Sequence, residues 1–117
     1  NLAQEGLEIV RNIRDNNWLN YKRSASNWRD GLDQGDYLVQ FDTENLLVFS
    51  STPLRINTAE QYQYDSGSNT PFYRKITIEY IDDKQIKVIA RIDWQEDGKN
   101  HLVQAETRFY NWLEEPE

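Results

Sequence analysis

The sequence predicts an α+β fold: an N-terminal amphipathic helix packed on a C-terminal antiparallel β-sheet, with an irregular region of short strands between. Three observations carry this. Residues 1–19 repeat apolar side chains at helical spacing. Residues 72–112 alternate apolar and polar with a period of two and are broken by two tight-turn signals. No other segment offers enough apolar surface to cover one face of such a sheet.

At 100° per residue, Leu2, Ala3, Gly6, Leu7, Ile9, Val10 and Ile13 fall in one arc of roughly 160°, interrupted by Arg14 near its edge. Glu5 and Glu8 come early and Arg11 and Arg14 late, the order that complements the helix dipole. No capping residue or turn chemistry precedes the first apolar position, and methionine is absent even at position 1. Both features predict a chain cut from a longer one. An arc this wide is expected to serve the chain's own sheet and a neighbouring helix, with Gly6 allowing close approach.

Residues 20–34 read as a polar, structured loop holding Trp28 and most of the turn-rich run DGLDQGD (30–36). Brief strands are expected at residues 37–41, 46–49, 54–56 and 62–64. Residues 65–71, DSGSNTP, read as a turn.

From residue 72 the alternation places Phe72, Arg74, Ile76, Ile78 and Tyr80 on one side, with Ile76 and Ile78 toward the core. Asp82, Asp83 and Lys84 turn the chain into a second strand, in which Ile86, Val88, Ala90, Ile92 and Trp94 alternate with polar positions. An Asp97-Gly98 turn returns it as a third strand over residues 101–112, with Val103, Ala105, Thr107 and Phe109 expected inside. Trp94 and Trp112 are expected to fix this three-stranded meander.

A chain of 117 residues is the size of one domain, taken as residues 1–117. Thirteen basic against 20 acidic residues, net charge −7, oppose a broad basic face for nucleic acid or anionic lipid. No apolar run approaches the ~20 residues that cross a bilayer. Without cysteine there is no disulfide framework or thiolate metal site.

No pattern announces catalysis. His101, the only histidine, stands beside a turn with no metal-ligand spacing around it. The serines lack a nucleophile-elbow pattern, and the five glycines form no phosphate loop. Asp30, Asp33 and Asp36 lack the ligand ladder of a calcium loop and read as solvated. No cofactor or metal is expected. Exposed aromatics, with Trp28 and Tyr64 as the chosen pair, offer a second reading, a glycan- or surface-polymer-binding module.

The stretches LAQEGLEIVRNIRDNNWL (residues 2–19), WRDGLDQGDY (28–37), TPFYRKITI (70–78) and VIARIDWQEDG with RFYNWL (88–98, 108–113) together resemble type IV pilin-like proteins. The similarity is greatest to minor pilins and pseudopilins made with a prepilin-type leader. It spans nearly the whole chain. The resemblance implies a leader, a conserved acidic residue and an apolar membrane anchor ahead of Asn1; Glu5 is not that acidic residue. It also implies that residues 1–19 continue the long pilin helix, residues 20–71 are the variable region and residues 72–113 the sheet. The chain departs from the disulfide-looped adhesive pilins in having no cysteine, which leaves a place among pseudopilins open.

The resulting expectation is a non-enzymatic subunit of a type IV pilus or type II secretion-like filament. It would lie outside the cytoplasm, touch the membrane only through a preceding segment, and have sister subunits as partners. Leu2, Gly6, Ile9, Val10 and Ile13 are expected to pack helices, and Ile76, Ile78, Trp94 and Trp112 to form the sheet core.

Overall fold

A computed structural model describes residues 1–24 and 28–110 of the chain, and of residues 18 and 20–24 the backbone alone. Helix α1 spans Leu2–Ser24. It is therefore longer than the pattern over residues 1–19 indicates, and it takes in the start of the expected loop. It is also capped: the Gln4 amide donates to Asn1 Oδ1 at 3.1 Å and the Glu5 amide to the Asn1 carbonyl at 3.0 Å. Asparagine is a favoured N-cap because its short side chain satisfies a first-turn amide. The helix start that reads as uncapped in the sequence is thus capped by Asn1.

Among the described residues eight strands follow: β1 (Gly35–Leu38), β2 (Leu47–Val48), β3 (Arg55–Ile56), β4 (Tyr62–Gln63), β5 (Ser68–Asn69), β6 (Tyr73–Asp82), β7 (Gln85–Glu96) and β8 (Lys99–Tyr110). The three long strands form the expected meander. Asp97 and Gly98, at φ 53° and 76°, make the two-residue β7–β8 turn, whose positive φ values match the twist of the flanking strands. At the other hairpin the Asp82 carboxylate accepts from Gln85 Nε2 (2.9 Å) and from the Lys84 amide (2.8 Å). These bonds, the one from Gln85 foremost, hold its pKa below the ordinary value.

The sheet is wider than three strands. β1 pairs antiparallel with β6, and β2 with β1, giving the order β2-β1-β6-β7-β8. A second sheet, β4-β3-β5, is built from the middle of the chain, and its edge β5 lies inside the segment read as a turn. It is attached by the Leu54 amide, which donates to the Phe72 carbonyl at 2.8 Å, and by the Phe41 amide, which donates to the Tyr62 carbonyl at 3.2 Å. The remaining middle strands are shorter than the sequence indicates.

The core lies between α1 and the inner sheet face. Arg74, Ile76 and Ile78 of β6 and Ile86, Val88, Ala90 and Ile92 of β7 point into it, as alternation requires. β8 is an edge strand, and its inner side is covered only in part. Phe109 is buried, Ala105 and Thr107 are half-buried, and Val103, expected inside, is 44% exposed. Tyr80 is exposed as well, with the Arg29 guanidinium 4.2 Å from its ring centre.

Candidate functional site

The junction between α1 and the sheet gathers most of the residues singled out from the sequence. Ala3, Gly6, Leu7, Ile9, Val10 and Ile13 are all buried inside the chain's own core. Leu2 is half-buried and packs against that core. The wide apolar arc is thus occupied by the sheet and by Trp28 and Leu32 from the returning loop. Gly6 marks the closest approach: a Cβ there would stand 2.9 Å from Ile76 Cδ1 and 3.3 Å from Arg74 Cδ. In this chain the close contact that glycine permits is made with strand β6 of its own sheet.

Arg14, which interrupts the arc, is buried too. Its guanidinium lies over Phe109, 4.6 Å from the ring centre, and bonds Asp15 (Nη2 to Oδ1, 3.0 Å). A long aliphatic stem with a planar cationic head can cover an aromatic ring while keeping its charge paired.

Arg74 is the residue that the sequence reading left without a role. It occupies an inward register position and is 1% exposed. One nitrogen, Nη1, donates to the Leu2 carbonyl (3.0 Å) and to Glu5 Oε1 (2.8 Å); the other, Nη2, donates to the Val39 carbonyl (2.8 Å). A single side chain therefore ties the first turn of α1 to the segment following β1. The signal was an arginine in phase with Ile76 and Ile78, opposite an acidic first helical turn.

Beside it stands Tyr64. Its hydroxyl is buried and, like Arg74 Nε, lacks a hydrogen-bond partner among the described residues. Burial pushes the Tyr64 pKa above its ordinary value, outweighing the nearby Arg74 charge, which favours the phenolate. The residue as a whole is half-buried.

Trp28, the other expected ligand contact, is 5% exposed and belongs to the core. Asn17 fixes its backbone: Nδ2 donates to the carbonyls of Trp28 (2.9 Å) and Asp30 (2.8 Å). Ile76 and Ile78 lie at the centre of the sheet as expected. Trp94 is half-buried, edge-on to Phe72 (5.6 Å) and stacked on His101 (5.2 Å). Trp112 lies outside the described residues.

The acidic loop shows how its carboxylates are used. Asp33 Oδ1 accepts from the Tyr80 hydroxyl at 3.3 Å and Asp36 Oδ1 from the Thr77 hydroxyl at 2.6 Å. Desolvation first, and the Asp33 charge second, raise the pKa values of Tyr37 and Tyr80. Among the described residues no group of three or more histidine, cysteine or acidic side chains could hold a metal ion, and no helix is long and apolar enough to cross a membrane.

No family model, no curated protein and no solved structure matches this chain.

Proposed function

We propose that this chain is the extracytoplasmic head of a type IV pilin-like subunit, a minor pilin or pseudopilin, whose work is assembly into a filament rather than catalysis. One observation carries the reading: a 23-residue helix comes first and lies along one face of a later antiparallel meander, with short irregular strands between. This is the order of parts that the resemblance implies. A subunit of this type needs a rigid connection between helix and head, so that force on the helix moves the whole head. The buried Arg74 bridge, the close approach at Gly6 and the Asn17 bonds supply it.

In this reading sister subunits do not meet through Gly6, Ile9, Val10 or Ile13, which are spent inside the head. Their contacts fall on the start of the helix and on a segment ahead of it. There Leu2, Tyr62, Phe72, Trp94 and Val103 line an open apolar recess of about 340 Å³. Apolar surface left uncovered on one head is the kind that a neighbouring subunit buries.

The test is to read the codons ahead of Asn1 and follow the full-length product in cells. The expected result is an apolar segment of about 20 residues behind a cleavable leader, with the processed protein sedimenting with surface or periplasmic fibres. A Val103→Arg variant should then be processed yet left out of the fibres. A full-length product with no such segment, or one that never associates with fibres, overturns the proposal.

A further inference from the structure

The geometry points to a binding site for a linear oligosaccharide on the outer face of the sheet, the side away from α1. The register places side chains there in transverse rows. Tyr73, Asp93 and Leu102 are directly opposite one another on β6, β7 and β8; Lys75, Arg91 and Gln104 form the next row, and Gln95 faces Asn100 beyond. Two open depressions lie over these rows, about 670 Å³ and 420 Å³ in volume, and share Tyr73, Arg91 and Asp93. They form one trough. Residues 49–52, with Ser50 and Thr52 hydroxyls 2.8 Å apart, wall one end, and the Gln95–Asn100 pair stands at the other, while Trp94 and His101 project to the opposite face.

The chemistry of the trough is planar and polar around an exposed ring. Tyr73 is 41% exposed, so its face is free to take the apolar C–H side of a sugar ring. The Asp93 carboxylate is held by Arg91 through two bonds, Nε to Oδ2 at 2.9 Å and Nη2 to Oδ1 at 3.1 Å. Each group keeps unused capacity, because a carboxylate accepts about four hydrogen bonds and a guanidinium donates about five. The Gln95 and Asn100 amides are likewise fixed on each other at 2.9 Å. Preset donors and acceptors beside a ring face match the adjacent hydroxyls of a sugar, and fixing them beforehand lowers the ordering cost of binding.

Other occupants fit less well. Net charge −7 disfavours nucleic acid. A stable protein partner buries about 800 Å² per side around an apolar centre, whereas the exposed apolar residues on these rows are Tyr73 and Leu102, set apart by Asp93. Tyr73 and Leu102 are separated by two strand spacings, roughly 9.5 Å, so the trough takes more than one sugar ring. This site does not depend on the filament reading, and its test uses the chain alone.

The isotope-labelled chain would be screened on a broad glycan array, and the strongest oligosaccharide titrated by NMR. The expected result is shifts at the amides of residues 73, 91, 93, 100 and 101, with affinity lowered about tenfold by Tyr73→Ala and little changed by Tyr73→Phe. Asn100→Ala, which leaves the Arg91–Asp93 pair intact, gives an independent loss should Tyr73→Ala fail to fold. Retention of no glycan, shifts away from these rows, or affinity indifferent to both alanine variants would overturn the assignment.

Discussion

Glu5 in the first turn of the helix and Arg74 in the first long strand are 69 residues apart in sequence and joined by a 2.8 Å hydrogen-bonded ion pair. The Arg74 side chain is fully buried while that of Glu5 is about one-third exposed. The two partners are therefore not equivalent. Removing the arginine takes a donor from the Val39 and Leu2 carbonyls and from the carboxylate together, whereas removing the acid leaves the guanidinium with two backbone acceptors.

Arg74→Met is accordingly expected to destabilise the fold by about 3–5 kcal/mol. Glu5→Gln, at a partly solvated position, is expected to cost about 1 kcal/mol. Urea unfolding of both variants and of the double variant measures the coupling. Equal losses from the two single variants would contradict the asymmetry.

Gly6→Ala sets two known effects against each other. Alanine improves helix propensity by about 1 kcal/mol, yet its methyl would press on Ile76 Cδ1 and the Arg74 stem, a crowding that costs about 1–3 kcal/mol in a packed core. A net loss of about 0–2 kcal/mol is expected for Gly6→Ala and about 3 kcal/mol or more for Gly6→Val. Denaturant midpoints for the pair decide whether the helix rests on the sheet as closely as described.

Tyr64→Phe should leave stability unchanged or raise it by up to about 1 kcal/mol at neutral pH, because it deletes a buried hydroxyl that has no hydrogen-bond partner among the described residues. The pH dependence has a definite sign. A tyrosine whose folded pKa lies above its ordinary value of 10.0 keeps its proton longer in the native than in the unfolded chain. Its contribution is complete below pH 10.0 and is lost as the pH rises through the folded value. Urea midpoints followed from neutral pH into the alkaline range should therefore fall less steeply in Tyr64→Phe than in the parent. A residual slope is expected from Tyr37 and Tyr80, whose values are also raised.

Trp28→Ala is expected to cost about 3–5 kcal/mol through the cavity it leaves. Asn17→Ala should cost about 1 kcal/mol through the loss of its hydrogen bonds to the Trp28 and Asp30 carbonyls. Thermal melts would show both losses. A Trp28→Ala chain as stable as the parent would return Trp28 to the surface.

Much of the fold was legible because it is set by short-range rules. The helical period placed Ala3, Leu7, Val10 and Ile13 on the buried side, and the twofold alternation did the same for Ile76, Ile78, Ile86 and Val88. Asp97-Gly98 announced its hairpin because few residue pairs tolerate positive φ twice in succession. The candidate sites were harder to read. Trp28 and Tyr64 were chosen as exposed aromatics, yet ring type does not say which side of a loop faces inward. Tyr73, on the outward phase of a strand, is exposed, and its register with Asp93 and Leu102 was implicit in the hairpin turns.

By itself, then, the sequence determined one helix with a buried side, three long strands and the turns that join them, since each rests on chemistry within a few residues. Only the tertiary structure decided that β1 would extend the sheet, that Val103 would stay uncovered, and that Arg74 would find Glu5 and Val39. Those outcomes depend on where distant segments dock. Edge pairing, partial cover and the partners of a buried charge are fixed by the packing of the whole chain, and local periodicity carries no record of them.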